Sequence, residues 1–493
     1  GGGEGSDRVS LEKLKERQTE DARLHIQRVL DERRPLGTTC QVNWVRYKPV
    51  RAEARVVVHR EEDPKAVENR LLQRLNQIIN PLPTDLRPGG WPFGEPLRAF
   101  HVYETVRSEP GVSYVEGINF VVDEVPGKNV RSVSQDAFQP GTWYAVAGDT
   151  LFRTTDDGAG WVVSGKFPGE EAVLVRIHPK KAGLLAVVTK LNGDKPGARV
   201  YVSADCGESW TSVARTEFRI EDLAWTFRDD APLLYFATEK GLYEFALRSD
   251  RDAVPVQVLV DPKDASRGFN AVVVADLDRG GRCVAVAGSG MAGVFLSSDG
   301  GRSQSFRVIG MKGEDVRVLA VEYAPGRCFL WAGTAAAGEN DPGKGCYRWE
   351  IFGHEDSPEG WRRFAQGWKG GSVKALAFMG STVLAATFSA GVLSLASTEK
   401  EPVWQAPDFV ASRLPMRDQN RLHSVEDIAV DPDNRLILAA GPEGVYGSDS
   451  RGKTYRNLSE QRFDNAVTLP ATWLFCSAEH QITVVSEDEA GRH

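Results

Sequence analysis

Between residues 20 and 123 the apolar positions shift repeatedly between helical and alternating spacing. Ala22, Ile26, Val29 and Leu30 recur at helical spacing and predict a helix that closes near Arg33-Arg34-Pro35, with Pro35 and Gly37 as stop signals. From Gln41 to His59 the pattern turns to β-structure, carried by Val42, Trp44, Tyr47 and Val50, then Ala54, Val56 and Val58. Asp63-Pro64 opens a second helix. The Asp carboxylate can accept from first-turn amides, and Pro is tolerated at the first helical position. Val67, Leu71, Leu72, Leu75, Ile78 and Ile79 form its apolar stripe, and Asn80-Pro81 closes it. Gly90-Trp91-Pro92-Phe93-Gly94 predicts a rigid corner in which Trp91 and Phe93 anchor the chain by burying large apolar area. Ala99, Val102, Tyr103 and Val106 predict a third helix. After Pro110-Gly111, residues Val112, Tyr114, Ile118, Phe120 and Val122 predict a strand. Strand, helix, corner, helix, strand is a compact α+β layer with its helices on one face.

From about residue 130 the helical period disappears, and short apolar strands alternate with Gly, Asp and Pro turns. One turn recurs. It is Thr154-Thr-Asp156-Asp-Gly158-Ala-Gly-Trp161, then Ser203-Ala-Asp205-Cys-Gly207-Glu-Ser209-Trp210. A third copy, Ser297-Ser-Asp299-Gly-Gly301-Arg-Ser303-Gln304, loses the aromatic, with Phe306 nearby. A fourth, Ser448-Asp-Ser450-Arg-Gly452-Lys-Thr454-Tyr455, has Ser in the Asp position. The turn is similar to the Asp-box, S-x-D-x-G-x-[ST]-W. Side-chain oxygens bond turn amides, Gly takes the left-handed angle, and the aromatic lies under the hairpin. Residues 233–245, 328–352 and 381–395 carry the same strand-turn-strand shape without the box. Together these make about seven units spaced by about 40–55 residues, a blade-like period. A small antiparallel sheet cannot bury both faces alone, and radial stacking solves this. The expected organisation is a small α+β N-terminal domain over 1–127, followed over 128–493 by an all-β propeller of seven blades. Gln481–Ser486 is expected to close the ring against the first blade.

Composition narrows the functional classes. A chain of 493 residues suggests more than one domain. A formal net charge of −8 argues against a dedicated nucleic-acid binder, and no apolar run approaches membrane-spanning length. Six cysteines (Cys40, Cys206, Cys283, Cys328, Cys346, Cys476), none in a C-x-x-C pair, predict reduced thiols and no zinc site. The chain opens Gly-Gly-Gly-Glu-Gly without Met, which suggests a processed or partial product.

Candidate chemistry is sparse. Gly447–Thr454 matches the letters of a phosphate-binding loop, but no helical pattern follows it, and the box register fits better. Gly338–Gly345 is a poorer match. Phe218-Arg219-Ile220-Glu221 resembles the start of the sialidase Phe-Arg-Ile-Pro motif, without the Pro and out of order relative to the boxes. Such an enzyme also needs two placed catalytic groups and an arginine cluster, and none is identifiable. The pairs Asp156-Asp157, Glu170-Glu171 and Asp229-Asp230, and Asp431-Pro-Asp-Asn, lack a calcium-loop pattern and are expected in solvated loops. No catalytic residue, cofactor or metal is expected.

Three pieces together carry a family resemblance: Arg33-Arg34-Pro35-Leu36-Gly37, the Gly90–Gly94 corner, and Pro110-Gly111-Val112. Residues 20–123 resemble the C-terminal part of baseplate J-like proteins, which build baseplate wedges in contractile phage tails and related injection systems. The resemblance implies a structural, non-enzymatic role in a phage tail-like particle assembled in the bacterial cytoplasm and released from it in some systems. Its partners would be other wedge, hub, sheath or fibre proteins, in several copies around a sixfold ring. The propeller would add a surface for a protein, glycan or cell-surface ligand. The competing expectation is a carbohydrate-binding or sialidase-like hydrolase propeller.

Overall fold

The structure, a computed structural model, describes residues 9, 11–16, 18–35, 42–122, 125–193, 196–229, 231–247, 254–277, 281–351, 360–459 and 462–490. Leu36, Gly37, Cys40, Gln41 and Asp230, the opening Gly-Gly-Gly-Glu-Gly and position 352, all referred to above, lie outside the described residues. Two compact units are present. One comprises Gly1–Val125, Thr154–Val162 and Glu460–His493; the other comprises Pro126–Arg153 and Val163–Ser459.

In the first unit the predicted elements appear as helices Glu20–Arg33, Pro64–Ile78 and Ala99–Arg107 and strands Arg46–Val58 and Val112–Val121. Asp63 caps its helix as expected, its Oδ1 accepting the Lys65 amide at 3.0 Å. Val67, Leu71 and Leu75 of that helix and Val102 and Val106 of the next share one core with Val50, Ala52, Ala54 and Val56, alternate residues of the long strand. Full burial of each Val or Leu among these stabilises by about 1.5–3 kcal/mol. Helix Glu20–Arg33 behaves differently. It has no buried residue, and Ile26 and Leu30 of its stripe are exposed.

The corner divides into two roles. Trp91 is 2 % exposed, donates from Nε1 to the Glu95 carbonyl at 2.9 Å, and meets Phe475 edge-on. Gly90 has φ +68°, and a Cβ there would lie 2.4 Å from the Pro81 carbonyl oxygen, so only glycine fits. Phe93, expected as a second anchor, is 57 % exposed. Of the two rings it is Trp91 that anchors the corner, because it is the one packed against Phe475 and bonded to the Glu95 carbonyl, while Phe93 faces outward.

The end of the chain completes the same sheet. Arg46–Val58 pairs antiparallel with Val112–Val121 on one side. On the other it pairs parallel with two strands in succession, Trp473–Ser477 against Arg46–Val50 and Gln481–Ser486 against Glu53–Val58. At the step between them His480 Nδ1 accepts the Ala52 amide at 3.0 Å, replacing a ladder bond. His480 Nε2 faces Ser477 Oγ at 3.2 Å, and that hydroxyl donates to the Ile79 carbonyl at 2.9 Å. Gln481–Ser486 therefore does not close the propeller ring, and the α+β unit is not confined to residues 1–127. The propeller is an insertion, entered after Val121 and left before Arg462, which are paired neighbours on adjacent strands. Alternation marks a strand with one buried face but does not name its partner, so the sequence pattern left this pairing open.

The second unit is a β-propeller. Among the described residues seven sheets follow one another, with inner strands Val130–Gln135, Glu170–Ile177, Ile220–Arg228, Phe269–Asp276, Val316–Ala324, Val373–Met379 and Asp427–Val430. Six are four-stranded meanders. The sixth has three strands, and a single bridge between Ser394 and Gln405 stands where its fourth would be. Every blade is contiguous in sequence, so the ring closes without a shared strand. Closure is made by Asp427 of blade 7, whose Oδ2 accepts from Ser132 Oγ at 2.7 Å and from the Val133 amide at 3.1 Å in blade 1.

Candidate functional site

The four box-like turns join the third and fourth strands of blades 1, 2, 4 and 7. In each, the first Ser or Thr accepts the amide of the box glycine: Gly158 to Thr154 at 3.0 Å, Gly207 to Ser203 at 2.8 Å, Gly301 to Ser297 at 2.9 Å and Gly452 to Ser448 at 2.9 Å. Asp156 and Asp205 each accept the amide four residues on, at 2.8 Å, from Gly160 and Ser209. Ser450 makes the same bond with Thr454 at 2.9 Å, so a hydroxyl serves in place of the carboxylate. In the third turn Ser305 Oγ meets Ser297 Oγ at 2.6 Å, and Asp299 stays largely exposed. Trp161 and Tyr455 are buried and Trp210 is half-buried, its Nε1 donating to the Ser164 carbonyl at 3.1 Å.

Two of these turns also latch neighbouring blades. Tyr144 of blade 1 donates to the Cys206 carbonyl at 2.8 Å, and Tyr235 of blade 3 donates to the Gly300 carbonyl at 2.6 Å. Gly207, with φ +83°, is required by the close approach of Ser164, whose Oγ would lie 2.4 Å from an added Cβ. The fourth turn gives its Gly452 and Thr454 amides to Ser448 and Ser450, and strand Arg456–Asn457 follows, so the phosphate-loop spelling has no phosphate-loop geometry. Glu170, expected in a solvated loop, is instead buried and paired with Arg199 at 2.6 Å. The five described cysteines are free thiols.

The box turns sit in separate blades and form no common site. The corner residues 90–94 fall in the first unit, which by compactness also takes in the first box turn, Thr154–Val162, but not the other three. What converges in the propeller is the start of the inner strands. In blades 1 to 6 the ladder to the second strand skips one residue: Arg131, Val173, Glu221, Asn270, Arg317 and Lys374. In blade 7 the Glu426 amide donates to Ala440, the residue opposite Asp427, giving the same two-against-one count. Apart from Val173, every one of these bulge residues lines an axial cavity of about 190 Å³.

One residue deeper, side chains fasten blade to blade. Asp222 Oδ2 accepts the Val272 amide at 3.1 Å, as Asp427 does for Val133. Arg176 bridges both carboxylates, 3.4 Å from Asp222 and 3.6 Å from Asp427. Burial pushes the Asp222 carboxyl up from its ordinary value, while Arg176 and the Val272 and Leu223 amides pull it down. These two carboxylates are occupied as fasteners. Around the mouth, Lys374 pairs with Glu426 at 3.2 Å and Arg131 with Glu171 at 3.3 Å.

Sequence reasoning missed this ring, although a signal was present. The inner strands open on a recurrent apolar–polar–x–apolar run: Val130-Arg-Ser-Val133, Ile220-Glu-Asp-Leu223, Phe269-Asn-Ala-Val272, Val316-Arg-Val-Leu319, Val373-Lys-Ala-Leu376 and Val425-Glu-Asp-Ile428. The residues read against the sialidase motif, Phe218–Glu221, lead into one of these openings.

No family model and no curated protein matches this chain. Among solved structures it is similar to a GH74 xyloglucanase from Xanthomonas campestris, at 18% identity and TM-score 0.48, over 73% of this chain and 55% of that one. This chain therefore spans about half the length of that protein. It is also similar to YCF48 bound to D1 peptide, at 13% identity and TM-score 0.44, over 66% and 94% of the two chains. Sqt1 from Saccharomyces cerevisiae matches at 13% identity and TM-score 0.43, over 68% and 86%.

Proposed function

We propose that this chain is a structural wedge component of a contractile injection particle, and that its propeller is a binding module carried by the α+β unit. The observation that supports this reading most is the connection of the two. The segment resembling baseplate J-like proteins folds with the end of the chain into one sheet, and the propeller departs and returns through the paired residues Val121 and Arg462. A large module can be added at such a point without interrupting the sheet that would join the ring. The carboxylates at the propeller axis hold neighbouring blades together, in keeping with a scaffold rather than a hydrolase.

Partners in this reading are other wedge, hub, sheath or fibre proteins around a sixfold axis, assembled in the bacterial cytoplasm. The test is electron microscopy of particles purified from native cells through a tag on this chain. A sixfold baseplate containing the chain supports the reading. A monomer without sheath or tube proteins overturns it and favours the carbohydrate-binding alternative.

A further inference from the structure

We infer that the propeller binds an extended polypeptide segment of a partner protein across the end at which the inner strands begin. An aliphatic side chain of the segment sits between blades 2 and 3, and an acidic one between blades 5 and 6. The inference deepens the binding role proposed above and rests on it. Among the described residues, cavities of about 170, 190 and 530 Å³ open at this end. They share walls. Leu174 and Glu221 line both the first and the axial cavity, and Arg317, Val318 and Lys374 line both the axial and the third. The result is one trough from the seam of blades 2 and 3, through the axis, to the seam of blades 5 and 6. An extended chain fits a trough of that form.

The two ends differ in chemistry. Between blades 2 and 3 an aliphatic wall of Val173, Leu174, Val188, Ala198 and Ile220, rimmed by Thr189, Lys190, Arg219 and Glu221, leaves room for a single aliphatic side chain. Its lining holds no aromatic ring on which a sugar could stack. Between blades 5 and 6, Phe388 lies under Lys374 and Arg417, whose charged groups are 5.8 and 5.6 Å from the ring centroid. Arg317 completes that rim. These cations now pair with Glu426, Glu339 and Asp315 at 3.2, 3.2 and 2.8 Å. The Arg417–Glu339 pair is exposed on both sides and contributes at most about 1 kcal/mol, so an incoming carboxylate can exchange with it.

The same interleaved acids select against a nucleic acid. A continuous polyanion would meet Asp315, Glu339 and Glu426 along its length, whereas a peptide brings one carboxylate on a neutral backbone. The hairpin that joins Met416–Asp418 to Arg421–Leu422 supplies Arg417 and holds the outer rim through Glu339, at 3.2 Å, and Asn340, at 3.4 Å.

The test selects a phage-displayed random peptide library on the full chain, then measures anisotropy of the selected peptides against variants. The expected result is enrichment of peptides with an aliphatic residue several positions from Asp or Glu. Their affinity should fall about tenfold or more in Leu174→Arg and in the Lys374→Glu, Arg417→Glu double variant. It should be unchanged in Arg302→Glu, in a box turn at the opposite end. If Leu174→Arg does not fold, Val173→Lys serves in its place. No enrichment overturns the inference, as does equal binding to all variants, or an oligosaccharide from a glycan array whose binding is lost in the same variants. A chain that enters the particle but selects no peptide removes this inference alone. A chain that selects peptides but is absent from the particle removes the structural role alone.

Discussion

Ser459 donates its hydroxyl hydrogen to the carbonyl oxygen of Pro126 at 2.7 Å, so the two ends of the propeller unit are neighbours. In the α+β unit the corresponding ends, Val121 and Arg462, are paired across adjacent strands. Each unit thus closes on itself at the point where the chain passes between them.

Each unit should therefore fold without the other. Residues 126–459 expressed alone should unfold cooperatively by urea and circular dichroism. The chain in which those residues are replaced by a Gly-Ser linker of about four residues loses Thr154–Val162 from the α+β unit but should keep its sheet and helices folded, since closing so short a loop costs little entropy. Aggregation of both pieces under conditions where the full chain is soluble would show that neither unit folds alone.

Asp427 holds blade 7 to blade 1. Asp427→Ala removes the acceptor for Ser132 Oγ and the Val133 amide and leaves Arg176 with one carboxylate instead of two. The expected loss is about 1–3 kcal/mol in urea unfolding, because a buried amide is left without a partner. Asp427→Asn keeps an acceptor and should lose less. Equal losses in the two variants would assign the effect to charge alone.

His178 is buried against Trp225 and Phe227, with Nδ1 accepting the Lys180 amide at 3.0 Å. Burial, helped by the Lys181 charge, pushes its pKa down to about 4. Because the folded value lies below the unfolded one, acid protonates the unfolded chain first. The neutral ring's contribution is complete above about pH 6.5 and is lost as pH falls towards about 4, by up to about 1.4 kcal/mol per pH unit. His178→Gln should flatten the stability profile across that window. A difference between wild type and variant that is constant from pH 7 to 4.5 would refute the assignment.

The corner residues separate cleanly by burial. Trp91→Ala removes a ring packed against Phe475, together with the bond to Glu95, and should cost about 3–5 kcal/mol. Phe93→Ala, at an exposed position, should change stability by less than about 0.5 kcal/mol. If Phe93→Ala leaves the thermal midpoint alone but lowers recovery of the chain in purified particles, that ring contacts a neighbour there.

The helices and blades were legible because their contacts are local. Asp63-Pro64 and the stripe from Val67 to Leu75 lie within one helix, and every blade is a meander of consecutive strands, so period and turn residues suffice. The boxless segments at 233–245, 328–352 and 381–395 fall in blades 3, 5 and 6 for the same reason. Tertiary structure alone decided that Gln481–Ser486 joins Glu53–Val58, a pairing more than 400 residues apart along the chain. It also decided that Phe93 faces outward and that Arg131, Glu221, Arg317, Lys374 and Glu426 meet at one axis. Alternation along a strand states that one face is buried, and a turn states where the chain reverses. Neither states which distant edge satisfies the strand's amides, nor which side chains seven separate strands bring together. Those depend on how whole sheets stack and close, which is a property of the assembled ring.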